Sequence, residues 1–162
     1  MPSRPLFVSS RSVPPLHVLG AEVRFLCEAE STRGAWSMME VTLPENSGPP
    51  PHVHDWDEAY FVTAGTIDFT VDGDRCTARA GDFVYAPGGV AHGFRGSSAT
   101  PAKAIVFDAP AHAAGFFKRV DREVRTLPDD LPKVLAIGEA TGIRFLPRGG
   151  AAAPAPADRA TA

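Results

Sequence analysis

The chain of 162 residues is long enough for one domain with a hydrophobic core and too short for two domains of ordinary size. Hydrophobic residues make up 44% of it, which is a globular composition and excludes a disordered chain. Sixteen basic and nineteen acidic side chains leave a net charge of -3, so electrostatics give no reason to expect a nucleic acid or a membrane as partner.

The two ends of the chain differ in composition from its middle. Residues 1–15 mix Pro, Ser and Arg and predict a flexible N-terminal segment, and the Ala/Pro-rich residues 148–162 predict a disordered tail. The folded domain is therefore expected over residues 16–147. No apolar run is long enough for a signal peptide or a membrane span, so the expected location is the cytoplasm. In that reducing compartment Cys27 and Cys76 are expected to be small buried side chains.

Alternation of apolar and polar residues predicts strands up to residue 109. Residues 66–71 alternate most clearly, and the Asp72-Gly73 pair that follows indicates a tight hairpin turn. The predicted strands, in chain order, are 21–27, 35–43, the segment around 52–62, 66–71, 75–79, 83–87, 92–96 and 102–109. About eight short strands at short intervals favour an antiparallel sandwich or barrel.

Helical patterns begin after residue 110. Residues 111–124 place Phe116 and Phe117 where they would seat a helix against the barrel, with a lid as the alternative role. Residues 129–142 combine an aspartate N-cap, an early proline and a terminal glycine. The predicted fold class is therefore all-β, a barrel with one or two short C-terminal helices.

Two histidines and a glutamate stand close together in the third predicted strand. His52 and His54 are two residues apart, so in a strand their side chains point to the same face. Glu58 can return to that face after a short turn. Two imidazoles and a carboxylate inside a barrel are costly unless something compensates them. A divalent transition metal does so directly, since imidazole and carboxylate are common ligands of Fe, Mn, Ni, Co, Cu and Zn.

A second block, residues 81–94, supplies a third histidine, His92, after a Pro-Gly-Gly turn. The two blocks together closely resemble the two motifs of the cupin superfamily. The positions that fit the first motif are His52, His54, Glu58 and Gly65, and those that fit the second are Gly81, Pro87, Gly89 and His92. Two positions depart from the pattern: the first glycine is offset to Gly48, and Gly96 stands where the second motif ends in Asn.

The resemblance implies a single cupin barrel, also called a jelly roll or double-stranded β-helix. It implies that His52, His54, Glu58 and His92 bind one divalent metal ion, with Glu58 as the catalytic proton acceptor. The alternative is that the histidine pair lies on the outer face as polar surface residues. The two remaining histidines, His17 and His112, lie outside the motifs and are expected at the surface or in packing roles.

Aromatic residues on the predicted strands are candidates for the wall of a substrate pocket. These are Tyr60, Phe69, Phe83, Tyr85 and Phe94, and the alternative for each is an ordinary core position. Trp56 and Asp57, beside Glu58, are expected either to shape the mouth of the cavity or to lie in an exposed loop.

The segment 47–73 and the later sequence AGFFKRV are similar to single-domain quercetin-dioxygenase-like cupins. This resemblance implies a metal-dependent dioxygenase that uses O₂ to cleave flavonols or related enolisable or phenolic substrates. The second hypothesis is a non-oxidative cyclase, isomerase, dehydratase or decarboxylase of secondary metabolism. The third is a module that binds a small ligand without turnover. The resemblance also implies a homodimer.

Overall fold

A computed structural model describes residues 5–147. The tail predicted to be disordered, residues 148–162, and the first four residues lie outside the described residues. Within the predicted N-terminal segment, Ser10–Ser12 form one turn of 3₁₀ helix. None of the helices in the described part of the chain is long and apolar enough to cross a membrane.

Two antiparallel sheets form the fold and enclose its core. The strands, in chain order, are β1 Leu16–Val18, β2 Ala21–Cys27, β3 Ser37–Leu43, β4 His52–Val53, β5 Asp57–Ala64, β6 Thr66–Val71, β7 Asp74–Arg79, β8 Phe83–Ala86, β9 His92–Gly96, β10 Ala102–Ala109 and β11 Arg144–Phe145. The six-stranded sheet has the order β1-β2-β3-β10-β5-β8, and the five-stranded sheet has the order β11-β4-β9-β6-β7. This arrangement confirms the predicted all-β architecture.

The core follows from the alternation of the strands, since every second side chain points between the sheets. In β2, Val23 and Phe25 are buried, and the same alternation runs along β3 and β10. The expectation for the cysteines was wrong. Cys27 is only half-buried and Cys76 is exposed. Cys76 is exposed because β7 is an edge strand of the five-stranded sheet.

Three helices accompany the sheets: α1 Ala29–Thr32, α2 Ala114–Glu123 and α3 Leu131–Ala140. Phe116 is buried, and Phe117 meets Phe25 edge to face with ring centres 5.9 Å apart. These contacts seat α2 against the barrel. The sequence did not predict α1, β1 or β11, because segments of two to four residues carry almost no periodic signal.

A buried carboxylate joins the end of β10 to the start of α2. Asp108 accepts hydrogen bonds from the backbone N–H groups of His112 and Ala113, at 2.9 and 3.0 Å, and another from the Ser37 hydroxyl. It thereby pairs two backbone donors of the segment that leads into α2. The helix is therefore fixed in position relative to the strands that carry the core.

The two glycines that depart from the cupin motifs lie where backbones meet closely. Gly48 has a φ of +136°, and a Cβ there would lie 2.3 Å from the Phe94 carbonyl oxygen. A Cβ at Gly96 would lie 2.6 Å from the Pro44 carbonyl oxygen. Both glycines therefore allow the loop before β4 to lie directly against β9.

We expect Gly48→Ala to destabilise the protein by about 2–3 kcal/mol, because it adds both a clash and an unfavourable φ. The matched control is Gly34→Ala, where φ is +79° but a Cβ meets nothing within 4 Å, and we expect a loss of about 1 kcal/mol. Urea unfolding of both variants measures the difference. An equal loss of unfolding free energy in Gly48→Ala and Gly34→Ala would contradict the close approach of the two backbones at Gly48.

Candidate metal centre

Four side chains from both sheets meet in the barrel. His52 opens β4 and pairs with His92, the first residue of β9. His54 follows directly after β4, and Glu58 lies near the start of β5. All four are buried, and one ligand atom from each lies within 4.8 Å of the others. The structure therefore brings together the four side chains that the sequence singled out.

Each imidazole is held by a backbone carbonyl two residues away. Nδ1 of His52, His54 and His92 lies 2.9 Å from the carbonyl oxygens of Pro50, Trp56 and Val90, respectively. A carbonyl only accepts, so Nδ1 carries the proton in all three rings. Each Nε2 of a neutral ring then presents a lone pair, which is the state that a metal ligand requires.

The donor set fits a metal ion. The Nε2 atoms of His54 and His92 are buried and have no hydrogen-bond partner among the described residues. They lie 3.6 and 3.4 Å from Oε2 of Glu58. Buried unpaired polar atoms are costly, and a divalent transition ion would pair both nitrogens and the carboxylate at once. The cluster of His52, His54, Glu58 and His92 can therefore hold such an ion.

Burial and neighbouring charges set the protonation states of the cluster. Burial, reinforced by His92, lowers the pKa of His52 from 6.5 to about 4, so this ring is neutral near pH 7. Burial alone would raise the pKa of Glu58, but hydrogen bonding and positive charge contributed by His54 and His92 outweigh it and hold that pKa well below its usual range. A bound cation would supply the same positive charge when both rings are neutral. Burial and the adjacent Glu58 raise the pKa of Tyr60 far above its usual value.

Tyr60 and Trp56 contact the cluster directly. The Tyr60 hydroxyl donates to Oε2 of Glu58, the oxygen that faces the two histidines. The indole of Trp56 is buried and stacks on the His54 ring, with centres 3.9 Å apart and planes 4° from parallel. The exposed-loop alternative is therefore wrong for Trp56. Asp57 is exposed, and its carboxylate accepts from the Gly88 N–H at 2.8 Å.

The two histidines outside the motifs lie outside the cluster. His17 and His112 are both exposed. The His112 ring meets Trp56 edge to face at 5.7 Å, so it contacts the outer side of the residue that stacks on His54.

An apolar cavity of about 50 Å³ adjoins the cluster. Tyr60 and Phe94 line it, and the buried Phe69 packs against both of them with ring centres 5.1 and 5.7 Å away. The cavity also has lining residues that the sequence did not single out. They include Val18, Leu19, Met39, Val41, Val106, Ile143 and Phe145. Alternation in the strands could have identified Met39, Val41 and Val106, but Phe145 carried no such signal.

Phe83 and Tyr85 do not line the cavity, so their prediction as pocket residues was wrong. They are 64% and 49% exposed. In the pairing of β5 with β8, Phe83 is opposite Phe61 and Tyr85 is opposite Ala59, whereas Glu58 is opposite Ala86. Since Glu58 points inward, Ala86 does too, and Tyr85 points outward with Phe83.

The chain is similar in sequence to a protein family and to a bacterial protein. The family description "Cupin domain" matches residues 39–108, a range that contains all four cluster residues. An uncharacterized protein of Streptomyces coelicolor is 33% identical over 91 residues, which cover 56% of this chain and 82% of that protein.

Solved structures share the fold. A predicted oxalate decarboxylase from Thermotoga maritima superposes with a TM-score of 0.60 at 20% identity, over 65% of this chain and 99% of that one. The polyketide cyclase RemF from Streptomyces resistomycificus gives a TM-score of 0.58 at 18% identity, over 65% of this chain and 80% of that one. At such low identities these likenesses show the architecture alone.

The low pKa of His52 predicts how the metal-free protein responds to acid. His52 takes up a proton near pH 6.5 in the unfolded chain but only near pH 4 in the folded chain. The contribution of His52 to the free energy of unfolding is therefore fully present above pH 6.5 and is lost as the pH falls from 6.5 to 4. We expect a loss on the order of 3 kcal/mol across this window. Urea unfolding at successive pH values should show a flatter profile for His52→Gln, whereas the exposed control His17→Gln keeps the wild-type slope. Superimposable profiles for wild type and His52→Gln would contradict the assignment.

Proposed function

The chain belongs to the cupin superfamily, and from that premise we propose that it is a metal-dependent enzyme acting on a small enolisable or phenolic substrate. The observation that carries this proposal is the buried cluster itself, in which the unpaired Nε2 atoms of His54 and His92 lie beside an apolar cavity. Buried polar atoms in native proteins are paired as a rule, so two unpaired Nε2 atoms that face one carboxylate indicate a place for a cation.

The residues around the cavity have separate roles in metal binding, proton transfer and substrate binding. A divalent ion held by His52, His54, Glu58 and His92 would act as a Lewis acid toward a substrate oxygen. Glu58 is ionised and can accept the proton of an incoming hydroxyl group. Tyr60 keeps its proton and fixes the orientation of the Glu58 carboxylate through its hydrogen bond. The apolar lining holds a flat organic group and excludes water.

The first candidate reaction is a quercetinase-like dioxygenation. The resemblance of segment 47–73 to quercetin-dioxygenase-like cupins and the apolar lining, which suits O₂, both support it. The cavity volume restricts the substrate, since about 50 Å³ is far below the 300–1,000 Å³ of usual ligand pockets. We therefore propose a substrate considerably smaller than a flavonol.

The second candidate is a non-oxidative reaction, such as that of a cyclase, isomerase, dehydratase or decarboxylase. The ionised Glu58, held in position by Tyr60, supports it, because a carboxylate can take a proton from a substrate and return it without any oxidant. The fold shared with a polyketide cyclase and a predicted oxalate decarboxylase is consistent with such chemistry.

Metal content and oxygen uptake distinguish the candidates. We expect about one transition ion per chain by elemental analysis, and oxygen uptake with small phenols and hydroxy-ketones by the loaded protein. Glu58→Gln should lower uptake roughly 100-fold because the proton acceptor is lost, and His17→Gln should leave it unchanged. Turnover without uptake favours the non-oxidative class. Ligand binding without any turnover would contradict the enzyme proposal and favour a binding module.

We also propose that the chain forms a homodimer through the outer face of the six-stranded sheet. Phe61, Phe83 and Tyr85 are each at least 47% exposed there, and such an aromatic patch is typical of a protein interface. Sedimentation velocity should show a dimer for wild type and a shift toward monomer for Phe83→Ser, with Cys76→Ser on the other sheet as control. A monomeric wild type would contradict this proposal.

A further inference from the structure

Helix α3 carries two apolar stripes, of which only one faces the barrel. Val134, Ile137 and Gly138 form the buried stripe. Leu131 and Leu135 form a second stripe, four residues apart, and Leu127 continues it into the preceding turn. All three leucines are 47% exposed. A surface helix normally has polar residues at such positions, so this stripe calls for an explanation.

The exposed leucines line one side of a groove of about 980 Å³. Its other lining residues come from the adjacent strands β6, β7 and β9 and from the loop before β4. They include Asp68, Thr70, Arg75, Thr77, Arg95 and the run Pro49–Pro51. The groove is far larger than the cavity of about 50 Å³ beside the metal cluster. Its volume is within the range of small-molecule binding sites.

The titratable groups that line this groove leave a net positive charge. They are Asp68, Arg75, Cys76 and Arg95. Asp68 accepts from the Thr77 hydroxyl at 2.8 Å and from Arg95 at 3.5 Å, so its charge is matched within the groove. Arg75 forms no ion pair with any carboxylate in the described part of the chain. The whole chain is acidic, with a net charge of -3, so this local excess favours an anion.

We propose that this groove binds a small organic anion with an apolar body, of the acyl or aryl carboxylate type. The apolar part would lie against Leu127, Leu131 and Leu135, and the anionic end would pair with Arg75, which lines the same groove from β7. A leucine stripe alone would fit many partners. The Arg75 guanidinium in the same groove, a group that forms bidentate hydrogen bonds with carboxylates, is what selects an amphipathic anion.

The groove lies next to the metal-side cavity but is a separate space. Four residues line both spaces: Leu19, Pro49, Phe94 and Phe145. The inference does not depend on the reaction at the metal cluster, because none of the four cluster residues lines the groove.

Calorimetric titration with decanoate and decanol tests the site in the full chain. We expect decanoate to bind and decanol, which lacks the charge, to bind roughly tenfold more weakly. Leu131→Gln and Arg75→Gln should each weaken decanoate binding roughly fivefold or more, and Arg75→Gln should leave decanol binding unchanged. The matched control is Arg79→Gln, on the same strand and the same face as Arg75 but outside the groove.

Three results would overturn the proposal: no decanoate binding, equal affinity for decanoate and decanol, or an equal loss of affinity in Arg79→Gln. A change of sedimentation coefficient in Leu131→Gln without decanoate binding would assign the groove to a second copy of the chain instead. Glu58→Gln separates the two proposals, because it should retain decanoate binding whether or not the metal centre is active.

Discussion

Three imidazoles and one carboxylate converge in the buried interior of the barrel. Burying them is costly unless each polar atom has a hydrogen-bond partner or a bound cation. The barrel provides half of the pairing through backbone carbonyls that accept from every Nδ1. The carboxylate of Glu58 lies among the remaining nitrogens and accepts from Tyr60. Two ring nitrogens still lack a partner among the described residues, which makes a cation the natural completion of the site.

Both sheets of the barrel contribute side chains to this cluster. Strands β4 and β9 supply histidines from one sheet, and β5 supplies the carboxylate from the other. The loop before β4 reaches β9 because Gly48 and Gly96 have no side chain to obstruct it. The three imidazoles are therefore oriented by the backbone itself, and side-chain substitutions at Pro50, Trp56 or Val90 leave those carbonyl contacts available.

The sequence predicted the centre of the molecule better than its edges. His52 and His54 lie on one face in any strand, so their convergence follows from a local rule, and the motif spacing placed Glu58 and His92 beside them. The inward or outward direction of Phe83 and Tyr85 depends instead on the pairing of β8 with β5, which is a long-range property. Cys76 is exposed because of the position of β7 at a sheet edge, and no local pattern shows that. The groove beside α3 could not be predicted either, because it is lined by a helix and three strands whose relative positions are set by the tertiary structure.

Strand β11 closes one side of the metal-side cavity. It pairs with β4, so Phe145 lies opposite His52, with ring centres 5.8 Å apart, and forms part of the cavity wall. About 90 residues separate these two positions along the chain. The wall of the cavity beside His52 is therefore completed by a long-range contact. This contact exists only where the pairing of β11 with β4 holds Phe145 against the histidine.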